Sequence, residues 1–127
     1  MFEKLQLTAM AQAMSSHAGA RMGLIAQNVA HADTPGYKAL DLPPFAEVYR
    51  SSGATGMRQT KPGHLDDPEA AALSMPRRSG GAGAPNGNAV SLEQEMVKAA
   101  SVRQDHEMAL AIYRNTSDII RASLGRK

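Results

Sequence analysis

Cysteine is absent from the 127 residues, which removes disulfides, thiolate metal sites and cysteine nucleophiles together. Tryptophan is absent too, and aromatics reach only 4%, supplied by Phe2, Tyr37, Phe45, Tyr49 and Tyr113. Rings carry much of the burial in small cores, so a dense globular interior is hard to build here. No stretch approaches the ~20 apolar residues that span a bilayer. The N-terminus lacks a cationic start followed by a leucine-rich core, so a cleaved signal peptide is not expected. An excess of one charge is missing as well: the formal net charge is +2, with 20% charged residues. That balance by itself calls for neither a nucleic acid nor an anionic membrane.

What is present separates into three segments within a length suited to one domain. Residues 1–40 carry a proline-free stretch, roughly 3 to 32, that reads as helix. Leu7, Met10, Met14 and Leu24 share one apolar stripe, and Met22, Ile25 and Val29 make a second, with alanine and glycine between them. A helix of ~30 residues is ~45 Å long. It is expected to stop at Asp33-Thr34-Pro35-Gly36, because a residue before proline is pushed out of the α region. Pro35-Gly36 then fits the centre of a type II turn, where glycine supplies the positive φ.

Residues 41–88 differ in kind. Pro43, Pro44, Pro62, Pro68, Pro76 and Pro85 are interspersed with glycines, and acids balance bases. The expectation is irregular chain with at most short strands or turns. Residues 89–127 open on a helix-start signal, Ser91 as N-cap with Gln94 three residues on, which is a capping-box pattern. Glu93 and Glu95 near the start, with Arg121, Arg126 and Lys127 at the end, suit the helix macrodipole. Leu92, Met96, Ala99, Leu110, Tyr113, Ile120 and Leu124 follow a heptad-like track, and Val102, Ala109, Ile112 and Ile119 a second.

The fold class expected is therefore mainly α. Long N- and C-terminal helices pair as an antiparallel hairpin, with an irregular Pro/Gly-rich middle segment. One helix facing one partner needs a single narrow seam, whereas each of these helices carries two. A lone hairpin leaves the extra stripes exposed, and such stripes mark interaction surfaces.

The segment from Leu24 to Ala39, Leu-Ile-Ala-Gln-Asn-Val-Ala-His-Ala-Asp-Thr-Pro-Gly-Tyr-Lys-Ala, resembles the N-terminal signature of bacterial flagellar rod and hook proteins. Its Asp-Thr-Pro-Gly-Tyr-Lys-Ala form is most similar to the proximal rod subunits. The stretch Thr60-Lys-Pro-Gly-His64-Leu65 is similar to the middle region of that subfamily, and Asn88 to Met96 to the start of its C-terminal helix. The sister rod subunits carry an Arg-x-Tyr-x-x-Asn stretch near the C-terminus, which Tyr113-Arg114-Asn115 does not reproduce.

The resemblance implies a structural, non-enzymatic subunit of the basal-body rod, without cofactors or metal, required for motility. It implies paired terminal helices lining a tube. It implies export through the flagellar type III apparatus without a cleaved signal peptide, and polymerisation in the periplasmic space. Implied partners are copies of the chain, other rod proteins, the rod–ring adaptor protein FliE and the inner-membrane ring. Asn28, Asp33, Thr34, Pro35, Gly36 and Tyr37 form the implied assembly motif.

Several features admit a plainer reading. Asp33 to Lys38 is either an inter-subunit contact or simply a helix stop. Gly19 and Gly23 form a G-x-x-x-G, which in lipid suggests a dimer face. Arg21, Gln27 and His31 argue against a membrane span, leaving close helix approach in a packed assembly or two tolerated glycines. Asn28 either fixes helix register from a buried position or is solvated. His17, His31, His64 and His106 lack metal-ligand spacing, and Asp66-Asp67 reads as a solvated loop rather than an acid–base pair. Two rivals remain besides a sister rod subunit. A small basic nucleic-acid-binding protein is prompted by Arg77-Arg78 and the tail from Arg121 to Lys127, but lacks interleaved aromatics. An enzyme lacks any nucleophile–base pair or phosphate cradle.

Overall fold

A computed structural model describes residues 2–55, 75–79 and 83–125. Two long helices dominate it. Helix α1, Phe2–Ala30, is followed by a two-residue strand β1, Leu40–Asp41, and a short helix α2, Phe45–Thr55. Strand β2, Arg77–Arg78, precedes the long helix α3, Leu92–Ser123. Helices α1 and α3 pack along each other as the expected hairpin, and β1 pairs antiparallel with β2, Leu40 opposite Arg78 and Asp41 opposite Arg77.

The hairpin seam is built from small side chains on a seven-residue repeat. Ala11, Ala18 and Ile25 on α1 are buried, as are Glu95, Val102, Ala109 and Thr116 on α3. A strict heptad keeps one narrow strip of each helix facing its partner. Thr116 turns its hydroxyl onto the Ile112 carbonyl of its own helix at 2.8 Å, so its burial leaves no donor unpaired. Only Ile25 and Val102 are large aliphatic residues in this strip, each worth roughly 1.5–3 kcal/mol when fully buried. Met22 and Ala99 pack against them. The interior is correspondingly thin.

Two local expectations are corrected. Residues 45–55 form a helix where irregular chain was expected. The Pro44 carbonyl receives the N–H groups of Glu47 and Val48, Glu47 lies in the first turn, and Phe45, Val48 and Tyr49 fall on one face. Proline is harmless at a helix start, and its density across the segment masked this local pattern. Ser91 does occupy the N-cap position with extended backbone (φ −107°, ψ 113°), yet its side chain makes no capping hydrogen bond. Gly19 and Gly23 are exposed, with nothing within 4 Å of an added Cβ, so the hairpin itself does not approach closely there. The stretches Thr60 to Leu65 and Asp66-Asp67, and the terminal Arg126 and Lys127, lie outside the described residues.

Candidate assembly site

The end of α1 explains why the chain turns back on itself. After Ala30 the N–H of Thr34 bonds the His31 carbonyl, and Pro35 forbids further helix. The Tyr37 N–H reaches the Thr34 carbonyl at 3.3 Å and Gly36 has φ +73°, as a type II turn requires. The His31 and Tyr37 rings stack across the turn with centroids 4.6 Å apart. A helix C-terminus leaves carbonyls without partners. Here the buried Asn88 amide donates to the carbonyls of His31, Ala32 and Thr34, while its oxygen accepts the Val90 N–H. A residue just ahead of α3 thus caps α1. The chain entering Asn88 runs against the turn: Gly36 N–H to Asn86 carbonyl at 3.1 Å, Ala89 N–H to Tyr37 carbonyl at 3.0 Å. Gly87 sits at φ +78°, and a Cβ there would stand 3.4 Å from the Gly36 Cα. The positive φ favours glycine there.

From the turn, residues 37–43 run back along α1 and meet a polar knot. Asn28 is wholly buried and uses its full hydrogen-bonding capacity. Its amide nitrogen donates to the Leu40 carbonyl at 2.8 Å and to Glu95 Oε2 at 2.9 Å. Its oxygen accepts from the Leu40 N–H at 3.0 Å and the Tyr37 hydroxyl at 3.3 Å. Toward Leu40 the side chain behaves as a neighbouring strand would. Glu95, 2% exposed, also receives Lys98 Nζ at 2.6 Å. Lys98 stands 3.9 Å from Asp41, and Asp41 takes a bidentate fork from Arg21, at 2.6 and 2.8 Å. Two bases and two acids therefore alternate through the site, a balance that partly buried charges need. Burial pushes the Asp41 carboxyl up, but Arg21, the Leu42 N–H and Lys98 outweigh it and hold the group below its ordinary value. The Asp41 hydrogen bond raises the Arg21 guanidinium. Further along α1, His17 Nε2 lies 3.0 Å from the Pro43 carbonyl and its ring 5.7 Å from that of Phe45. Burial lowers the His17 pKa, and the bond to Pro43 only partly opposes this.

The structure brings Asn28 and Tyr37 of the sequence motif into this knot, while Asp33, Thr34, Pro35 and Gly36 form its exposed rim. Of the helix-packing residues, Ile25 and Val102 lie in the seam. Met10, Met14, Met22, Leu24, Leu110, Ile112 and Ile120 are half-buried, and Leu7, Val29, Leu92, Met96, Tyr113, Ile119 and Leu124 are exposed. Arg21, Asp41, Asn88, Glu95 and Lys98 were not expected from sequence to belong to a site. Polar residues at seam spacing look like helix surface until the partner helix is in place. The one available signal was Glu95, which stands seven residues before Val102 and fourteen before Ala109. Beside the seam an open groove holds two hollows. One, about 330 Å³, is lined by Ala11, Ser15, Leu110 and Tyr113, and the other, about 310 Å³, by Ala18, Met22, Val102 and His106.

Fold and site together define a helical-hairpin scaffold, one whose interior polar groups hold backbone and helices in place. No family profile matches the chain. Among curated proteins it is similar to the flagellar basal body rod protein FlgB of Agrobacterium fabrum (strain C58 / ATCC 33970). The two are 26% identical over 118 residues, covering 89% of this chain and 88% of the relative. The resemblance to flagellar rod proteins carried by Leu24 to Ala39 thus extends along nearly the whole chain.

Proposed function

We propose that this chain is a structural subunit of the flagellar basal-body rod, in the proximal position, and that it is not an enzyme. The observation that carries the reading is the apolar surface that α3 leaves exposed. Leu92, Met96, Tyr113, Ile119 and Leu124 are all exposed, on a helix whose seam is already occupied. Large apolar side chains left outside a finished hairpin are surfaces awaiting neighbours. Copies of the chain and other rod proteins supply those neighbours, the terminal helices lining the tube and the segment between them lying outside or bridging. The rod–ring adaptor protein FliE and the inner-membrane ring are the further partners. Among the described residues no helix is long and apolar enough to cross a membrane. Passage through the flagellar type III apparatus delivers the chain to the periplasmic space.

Removing the chain from a flagellated cell leaves the membrane ring in place and no rod, seen by electron microscopy of isolated basal bodies. Leu110→Asp, or Pro35→Ala with Gly36→Val, abolishes swimming in soft agar while the protein is still expressed. Normal motility of both variants, or a complete rod in the deletion strain, overturns the assignment.

A further inference from the structure

The seam poses a problem that the polar knot answers. Its buried residues repeat every seven positions on both helices, as Ala11, Ala18 and Ile25 against Val102, Ala109 and Thr116. Sliding one helix along the other by one repeat, about 10.5 Å, again sets apolar side chain against apolar side chain. Methyl groups alone discriminate poorly between such arrangements. The knot does not repeat. In the observed alignment Asn28 meets Glu95. Displacement by seven residues in one direction sets the Asn28 amide against the Val102 side chain. Displacement in the other carries it beyond Leu92, where α3 begins. Either way Asn28 loses one of its four partners and the buried Glu95 carboxylate loses the Asn28 donor. Losing one hydrogen-bond partner of a buried polar group in an interior is costly.

We propose that the Asn28–Glu95 contact is the register selector of the hairpin: it admits one alignment of α1 and α3 and rejects the heptad-shifted ones that the alanine-rich seam would otherwise tolerate. The contact acts as a filter more than as a source of stability, because an apolar residue of similar size at position 95 continues the apolar seam that runs on through Val102 and Ala109. A foreign helix can take the place of α3 only if it offers a hydrogen-bond acceptor seven residues before its buried valine. This assignment is independent of flagellar function and stands or falls on the hairpin alone.

The absence of cysteine makes the test direct. Spin labels are placed on cysteines introduced at the exposed Ala20 and Ala111, and their separation is measured in frozen solutions of the full chain by double electron–electron resonance. The parent gives one narrow distance. Glu95→Leu keeps at least four-fifths of the helical circular dichroism but adds a second distance, displaced as a slide of one heptad requires. Glu95→Gln, which keeps an acceptor for Asn28, returns to the single distance. The proposal is overturned by a parent without a narrow distance, or by Glu95→Leu with only one. It is equally overturned if Glu95→Gln slides as freely as Glu95→Leu, or if Glu95→Leu unfolds, since the contact would then serve stability and not choice. Motility of any variant does not enter the outcome, so failure here leaves the rod assignment untouched.

Discussion

Asn88 shows how one side chain takes over work usually left to several. Its amide faces three carbonyls at the end of α1, and its oxygen closes the turn that launches α3. An amide NH₂ has only two hydrogens, so one of the three bonds is shared. Alanine at this position leaves the Ala32 carbonyl without its donor, at a cost on the order of 1–3 kcal/mol, while the His31 and Thr34 carbonyls keep the N–H groups of Thr34 and Tyr37. Asn88→Ala is therefore expected to lower the urea midpoint of the helical signal by that order. It should also speed amide exchange at Thr34 and Val90 before exchange in the middle of α1 changes. Asn28 is the same residue type in a different role, matched to Leu40 as one strand edge to another.

At the scale of elements, the returning arm of residues 37–45 is held to α1 by three contacts of unlike chemistry. Asn28 grips Leu40, Arg21 grips Asp41, and His17 meets Pro43 and Phe45. Two of these titrate in the same sense. The Asp41 carboxyl has a lowered pKa in the folded chain, so its contribution is complete above the unfolded value of 3.8 and is lost as pH falls through the folded value. The His17 pKa is lowered as well, so its contribution is complete above 6.5 and declines as pH drops toward the folded value. The arm is expected to loosen in two stages on acidification while the α1–α3 seam persists. The readout is the Leu42 amide and the His17 ring followed by NMR between pH 8 and pH 3. A single transition shared with the helices counts against it.

Elements were also where the sequence was most legible. Both long helices, the stop at Pro35 and the glycine turn follow from local rules that need no partner. The heptad of α3 was visible only as overlapping tracks, because Leu92, Met96 and Tyr113 are larger than the alanine and threonine that occupy the seam. Size suggested the core, and the hairpin chose small side chains instead. Helix α2 was hidden by averaging its short amphipathic pattern into a proline-rich surrounding. Of the knot, Asn28 and Tyr37 were legible, but its charged members were not, since Arg21, Asp41 and Lys98 become neighbours only after the chain has reversed twice.

The whole molecule is tightly specified at one end and thinly held elsewhere. Among the described residues, polar contacts concentrate around the turn, while the far half of the hairpin buries Ala11, Ala109 and Thr116 and leaves Leu7, Tyr113, Ile119 and Leu124 exposed. Burial of so little apolar area offsets the ordering of two long helices poorly. The dilute chain is expected to melt broadly by circular dichroism, and to gain helix and cooperativity as concentration rises. Sedimentation should show the same concentrations producing larger species. A sharp, concentration-independent transition of a monodisperse monomer would refute this.

The antiparallel ladder of Leu40 and Asp41 with Arg78 and Arg77, and the clasp of Asn88 on the turn, together give the intervening chain a fixed gate. Whatever lies beyond that gate enters and leaves at one place, so a change in its length leaves both ends where the scaffold holds them. Doubling the length of a flexible connection costs only about 0.6 kcal/mol in closure entropy. The position between Thr55 and Met75 is thus a natural port. A fluorescent reporter or a small folded module could be spliced there, leaving the helical shaft to form as before.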